Sequence, residues 1–162
     1  MNTGLADFFK HHLWANLRVL EACARLSDAQ LDATTTGAFG SVRQTLMHIF
    51  ASEEGYVHRF TGTFPTPRLD EGAPFAGFDE LRQRAKRSGE ELLAIAEQWE
   101  ASQVLQLSYQ GQSYEVPAIF VLLQAVNHAT DHRSQVATLL SQQEVTPPEL
   151  DGWAYYDAMS SR

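Results

Sequence analysis

Apolar residues recur every three or four positions along four long segments, and this spacing constrains the fold more than any other feature. It is typical of helices that bury one face. The four segments are Leu5–Leu26, Ser41–Phe60, Asp79–Glu100 and Pro117–Leu140. The pattern therefore predicts an all-α protein built as a four-helix bundle.

Shorter sequence patterns predict the structure of the segments outside these helices. Residues 61–77 are rich in proline and glycine, so they are predicted to form one long crossover loop. Ser27–Gln30 and Ser41–Gln44 have capping-box spacing, which predicts a short helical turn and the start of the second long helix. Two alternating runs around Gly111 predict a small β-hairpin. The aromatic tail after Pro148 predicts a short C-terminal helical cap that packs on the bundle.

Composition limits the class of protein. A chain of 162 residues is the size of one domain, so we expect residues 1–162 to form a single bundle domain. A net charge of −8 argues against nucleic-acid binding, and no membrane span or signal peptide is apparent, which predicts a cytoplasmic protein. The single cysteine, Cys23, is interpreted as a small buried hydrophobe. The basic residues of the third helix are interpreted as a solvated face: Arg82, Arg84, Lys86 and Arg87.

Two histidines interrupt the apolar stripe of the fourth helix. His128 and His132 are four residues apart, so their Cβ atoms lie about 5–6 Å from each other on one face. Buried imidazoles need partners for their ring nitrogens, and two at this spacing can reach one metal ion. The pair therefore predicts either a metal site or a polar network. Nearby polar residues are candidates to support it, although an ordinary surface position is preferred for Asp131 and Arg133: Asn127, Asp131, Arg133 and Gln135.

A catalytic divalent ion usually has three protein ligands, so a third is expected from another part of the chain. The candidates are His11, His12, His48, His58, Glu53 and Glu54. The adjacent His11 and His12 point roughly 100° apart, so at most one faces inward, and exposure is expected for His58. His48 lies mid-helix among apolar neighbours but roughly 100° or more from the centre of its apolar stripe. The apolar periodicity alone therefore does not predict that His48 faces the core.

Two motifs together resemble the DinB/YfiT-like family of metal-dependent, DNA-damage-inducible proteins. They are Ser41–Ile49 and Asn127–Val136, and the ends Trp14–Asn16 and Pro148–Asp151 are also similar, so the resemblance spans nearly the whole chain. Asp131 stands where members often have a second histidine or a small residue, and Ser134 stands where glycine is common. Neither departure removes a ligand.

The resemblance implies that His48, His128 and His132 hold a divalent metal, nickel or zinc, with water completing its shell. It also implies a homodimer that uses the metal to activate a low-molecular-weight thiol, as thiol S-transferases do. The expected partner is a small-molecule substrate, with no nucleic acid and no membrane. We interpret the family's name as a stress response that governs when members are made. Three imidazoles also suit copper and iron.

Two alternatives stay open. The first is a small metal-dependent hydrolase that activates water, in which Glu53 and Glu54 are either general-base candidates or surface salt-bridge partners. The second is a non-enzymatic, metal-stabilised binding or structural bundle of the stress response. A site open to small molecules favours an enzyme. The aromatic tail (Trp153, Tyr155 and Tyr156) and the loop 61–77 are candidates to cover the site, or else to cap the bundle or pack in a dimer.

Overall fold

The computed structural model describes residues 3–161, and these form six helices and one two-stranded sheet. The elements are α1 (Thr3–Cys23), α2 (Asp28–Leu31), α3 (Val42–Thr61), α4 (Phe78–Gln98), β1 (Val104–Tyr109), β2 (Gln112–Pro117), α5 (Ala118–Gln142) and α6 (Gly152–Ser160). Met1, Asn2 and Arg162 of the predicted domain 1–162 lie outside the described residues. No helix within residues 3–161 is long and apolar enough to cross a bilayer.

The predicted four-helix bundle is confirmed. Both α1 and α3 pack against α4 and α5, so the four helices enclose a buried interior. Large side chains with no exposed surface fill it: Phe9, Leu20, Leu46, Phe50, Leu92 and Leu122. Cys23 is also fully buried, and this burial raises the pKa of its thiol to about 12. The cysteine is therefore the inert interior residue that the sequence predicts.

Both predicted capping boxes are present, and the second fixes where α3 begins. The Ser41 side chain accepts a hydrogen bond from the Gln44 backbone N–H, and the Gln44 side chain accepts one from the Ser41 backbone N–H. The helix ends at Thr61, and the next residue, Gly62, caps it with a left-handed φ of 72°. This start and stop define the twenty residues that carry His48.

The connections follow the prediction closely. Residues 62–77 form the long crossover between α3 and α4, and Leu69 is its buried residue. The hairpin pairs β1 with β2 through a two-residue turn in which Gln110 and Gly111 both have positive φ, as the strand twist favours. The C-terminal helix α6 packs its Tyr155 ring against Trp14, with the ring centroids 5.4 Å apart.

One prediction about the third long helix is wrong. Arg84 does not lie on a solvated face, because it is 7% exposed and its Nη1 donates to Glu54 Oε1 at 2.6 Å. Arg87 reaches the same carboxylate at 3.1 Å. The exposed Arg82 and Lys86 do form surface pairs on α4. A buried carboxylate on α3, which periodicity does not reveal, turns the arginine inward.

Candidate metal centre

Three histidines from two facing helices meet at one side of the bundle. His48 comes from α3, and His128 and His132 come from α5. One ring nitrogen from each can be chosen so that all three atoms lie within 4.8 Å of one another. His48 Nε2 and His128 Nε2 are 3.0 Å apart. Within residues 3–161, this is the one group of three or more potential His, Cys, Asp or Glu ligands so placed.

His48 reaches the cluster although it lies off the centre of its helix's apolar stripe. The reason is that α3 packs against α4 and α5 together, so a residue on its flank still faces a neighbouring helix. The side chain of His48 is 19% exposed, at the border between core and solvent. The position of His48 away from the centre of the apolar stripe therefore does not exclude it from the cluster. Whether a residue on this flank of α3 is covered depends on where α5 lies.

Residues outside the cluster hold two of the three rings. His48 Nδ1 is 2.8 Å from Glu71 Oε2, and His132 Nδ1 is 3.1 Å from Gln135 Oε1. Because those oxygens only accept hydrogen bonds, each ring donates from Nδ1 and leaves Nε2 as the atom able to bind a metal. Phe39 stacks on the His48 ring, with centroids 4.0 Å apart, and its backbone N–H donates to Gln135 Oε1.

Of these supporting residues, sequence reasoning found Gln135 and missed Glu71 and Phe39. Gln135 lies one helical turn from His132, which made it a candidate. Glu71 and Phe39 lie in loops, where no periodicity indicates direction. The one available signal was that Asp70 and Glu71 are the acidic residues of the 61–77 loop.

The electrostatics of the cluster favour a neutral imidazole at His128. Burial is the largest cause that lowers the pKa of His128 to about 4, followed by repulsion from His132 and His48. At neutral pH this ring therefore carries a free lone pair, as a metal ligand must. The cluster is not sealed, because the adjoining Phe39 is 50% exposed and, of the three histidines, His48 and His128 are only partly buried.

The spacing of the His48 and His128 donors fits a divalent ion. Two nitrogens that each bind one ion at about 2.0–2.1 Å, with an angle of about 90–109° between them, lie roughly 2.9–3.4 Å apart. The separation of 3.0 Å between His48 Nε2 and His128 Nε2 falls in this range. In the metal-free protein the two facing nitrogens share one proton in an N–H···N hydrogen bond, and a cation bound between them would replace that proton.

The remaining candidate ligands are used elsewhere. Of the adjacent pair, His12 alone is buried, as predicted, and its Nε2 contacts Glu53 Oε2 at 2.8 Å. His11 Nε2 donates to the Leu150 carbonyl oxygen. The prediction that His58 is exposed is wrong. The crossover loop stacks Phe64 on the His58 ring, with the ring centroids 3.9 Å apart.

Glu53 and Glu54 are both buried, so the interpretation of these residues as surface salt-bridge partners is wrong. Asn16 donates to Glu53 Oε2 at 2.7 Å, and Ser88 donates to Glu53 Oε1 at 2.6 Å. Glu54 binds the inward-turned arginine of α4 described above. These carboxylates face α1 and α4, and their hydrogen bonds do not involve the three histidines.

The other polar residues near the pair separate into two groups. Arg133 is 4% exposed and donates to Asn16 Oδ1 at 2.6 Å, so its predicted surface position is wrong. The inward turn follows from the buried Asn16 on α1, which needs a donor for its oxygen. Asp131 and Asn127 are exposed, as an ordinary helix surface would have them.

The two candidate covers also differ. The loop 61–77 reaches the cluster through Glu71. The tail packs elsewhere: Tyr155 contacts His11 and Trp14 of α1, whereas Trp153 is 79% exposed and Tyr156 is 62% exposed. The tail therefore packs on the middle of α1, and the loop flanks the histidines.

Comparisons with known proteins agree with this architecture. A model of the DinB family matches residues 1–161. The crystal structure of a DinB-like protein from Bacillus cereus ATCC 10987 superposes with a TM-score of 0.68 at 15% sequence identity, covering 92% of this chain and 99% of that chain. At that identity the likeness shows the fold alone. No curated protein matches the chain significantly.

Proposed function

The chain belongs to the DinB family, and on that premise we propose that it is a metalloprotein whose His48, His128 and His132 hold one divalent ion, nickel or zinc. We further propose that this centre activates the thiol of a low-molecular-weight cofactor for attack on an electrophilic small molecule. The observation that carries the proposal is the convergence of three ring nitrogens within 4.8 Å on facing helices.

The chemistry of the donor set supports thiol activation. A divalent ion held by three neutral imidazoles keeps its full positive charge and lowers the pKa of a thiol or a water bound beside it. The chain's own residues keep the His128 imidazole neutral, because burial first and repulsion from His132 and His48 second lower its pKa to about 4. Gln135 holds the His132 ring, and Phe39 leaves an exposed aromatic face next to His48 for a substrate.

The hydrolytic alternative has less support. Metal-dependent hydrolysis is accelerated by a general base within hydrogen-bond reach of the attacking water. The two carboxylates that the sequence offers for this role, Glu53 and Glu54, are buried in other hydrogen bonds. A purely structural metal site is also less supported, since such sites are closed and this cluster borders solvent.

Metal content tests the proposal. Tag-free protein is measured by plasma mass spectrometry after supplementation with Ni²⁺ or Zn²⁺, alongside His48→Ala, His128→Ala and His132→Ala. His11→Ala is the matched control, because His11 lies outside the cluster and contacts Leu150. We expect about one equivalent in the wild type and the control and a loss in the three cluster variants. An unloaded wild type, or loss in the control alone, would contradict the proposal.

Activity is tested separately with the metal-loaded protein. Thiol conjugation to a chromogenic electrophile is followed with low-molecular-weight thiols of different charge, and hydrolysis of chromogenic esters is followed in parallel. Metal-dependent thiol conjugation that the His128→Ala variant lacks supports the S-transferase function. Metal-dependent ester hydrolysis without thiol conjugation would favour the hydrolase instead.

We also propose that the protein is a homodimer. Phe120 and Leu123, three residues apart on α5, are 58% and 52% exposed, and a pair of large apolar side chains on one helix face is suited to association. Sedimentation of the wild type is expected to give twice the monomer mass of 18.1 kDa. Leu123→Asp is expected to give monomers, and a monomeric wild type would overturn the proposal.

A further inference from the structure

The crossover loop delivers one carboxylate to the histidine cluster. Glu71 Oε2 lies 2.8 Å from His48 Nδ1, on the side of the ring opposite the atom that faces His128. We propose that Glu71 is the positioning residue for His48, which keeps Nε2 of that ring unprotonated and directed at His128 and His132. The inference rests on the proposed metal site for its consequence, but the hydrogen bond exists without an ion.

The argument begins with the proton on the imidazole. A carboxylate accepts hydrogen bonds and donates none, so the shared proton must lie on His48 Nδ1. A neutral ring protonated at Nδ1 has its lone pair on Nε2, and Nε2 is the nitrogen 3.0 Å from His128 Nε2. Acceptance by a carboxylate also makes the other nitrogen a better ligand, as in carboxylate–histidine–metal arrangements.

Stacking on Phe39 still allows the His48 ring to flip within its own plane, and the hydrogen bond to Glu71 opposes that flip. Phe39 lies over the His48 ring at 4.0 Å with an interplanar angle of 13°, which fixes the plane of the imidazole. A 180° flip within that plane would replace Nε2 by a ring carbon at the cluster. The hydrogen bond to Glu71 would be lost in the flipped ring, so the carboxylate selects the orientation that can bind.

The loop holds Glu71 in place through buried contacts. The backbone N–H of Leu69, two residues earlier, donates to the buried Glu54 Oε2 at 3.0 Å. Arg84, which pairs with Glu54, also donates to the Pro67 carbonyl oxygen at 3.2 Å. The Leu69 side chain itself is 6% exposed. The carboxylate is therefore presented by a segment fixed to the bundle interior, although its own side chain is 42% exposed.

The test compares three single substitutions. Glu71→Ala removes the acceptor, and Glu71→Gln keeps a weaker, neutral one. Asp70→Asn is the matched control, because it removes the same charge one residue away and keeps an oxygen for the Asp70 hydrogen bond from Gly72 N–H. Zn²⁺ affinity is measured by competition with a chromophoric chelator, and the tautomer of His48 is read in the metal-free protein by long-range ¹H–¹⁵N NMR.

We expect Glu71→Ala to weaken Zn²⁺ binding about 10- to 100-fold and Glu71→Gln to weaken it less, with Asp70→Asn like the wild type. In the metal-free wild type, His48 should be protonated at Nδ1, and Glu71→Ala should populate the Nε2–H form. Unchanged affinity in Glu71→Ala, or an Nε2–H tautomer in the wild type, would overturn the proposal.

Two further readouts separate this inference from its premise. If the wild type binds no Zn²⁺, the metal proposal fails, and the NMR tautomer alone decides the role of Glu71. If Co²⁺ absorption shows that Glu71→Gln changes the number of ligands, Glu71 binds the ion directly and the positioning role is overturned. An unchanged Co²⁺ spectrum with weakened affinity supports it.

Discussion

His128 shows most clearly how the bundle changes the chemistry of a single residue. Burial first, and the neighbouring His132 and His48 second, oppose a positive charge on its ring. An imidazole in water is half protonated near pH 6.5, whereas this one stays neutral until about pH 4. The burial that keeps the ring unprotonated therefore also leaves the lone pair of a ring nitrogen free to bind a cation.

This shift predicts how the stability of the metal-free protein depends on pH. Between pH 6.5 and about 4, the unfolded chain protonates His128 and the folded protein does not. The unfolded state then binds more protons, so the free energy of unfolding falls as the pH is lowered through this range. Urea unfolding at several pH values should show a shallower fall for His128→Asn. Identical pH profiles for the variant and the wild type would contradict the shift.

Cys23 gives a second residue-scale prediction. Its thiol is fully buried and its pKa is raised to about 12, so almost no thiolate is present at pH 8. A disulfide reagent should leave the native protein unmodified and react with one thiol after denaturation. Rapid modification of the native protein would show that the interior opens. An unreactive Cys23 also means that any thiol used in catalysis comes from a small molecule.

At the scale of the elements, the sequence predicts helices well and loop contacts poorly. Three- and four-residue spacing and two capping boxes give α1, α3, α4 and α5 to within a few residues. The positions of Glu54 and Arg84 were mistaken for surface because charged residues usually lie there. Their burial depends on the packing of α3 against α4 and on the crossover loop, to which both side chains are hydrogen-bonded. No local sequence pattern predicts these contacts between distant segments.

The two carboxylates that bind Arg84 give a matched pair of substitutions. Glu54 has a side chain 1% exposed, whereas the Glu80 side chain is 44% exposed. Glu54→Gln is expected to destabilise the protein by about 3 kcal/mol, because it leaves a buried arginine without its main counter-charge. Glu80→Gln is expected to cost less than about 1 kcal/mol. Urea unfolding measures both, and equal losses would show that the buried pair does not anchor the loop.

For the whole molecule, the candidate site depends on the assembly of distant segments. The spacing of His128 and His132 is visible in the sequence, and the family resemblance adds His48. The contact of His48 with Glu71 and its stack on Phe39 arise only when the loops before and after α3 fold back onto it. An ion bound by the three histidines would therefore join α3 to α5 and stabilise the fold that creates its site.

Thermal melts test this linkage between metal and fold. A ligand that binds only the folded state stabilises it by about 2.7 kcal/mol when present at 100 times its dissociation constant. We expect Ni²⁺ or Zn²⁺ to raise the melting temperature of the wild type and a chelator to reverse the rise. His128→Ala, with one ligand removed, should show little response. A similar rise in that variant would place the stabilising ion elsewhere.

The central claim is that one divalent ion binds between His48, His128 and His132, and anomalous diffraction from crystals of metal-loaded protein tests it most directly. Data collected above and below the absorption edge of the metal should give one anomalous peak about 2.0–2.1 Å from a ring nitrogen of each histidine. A peak at another place in the loaded crystals, such as the buried His12 and Glu53, or no peak at the three histidines, would contradict the account.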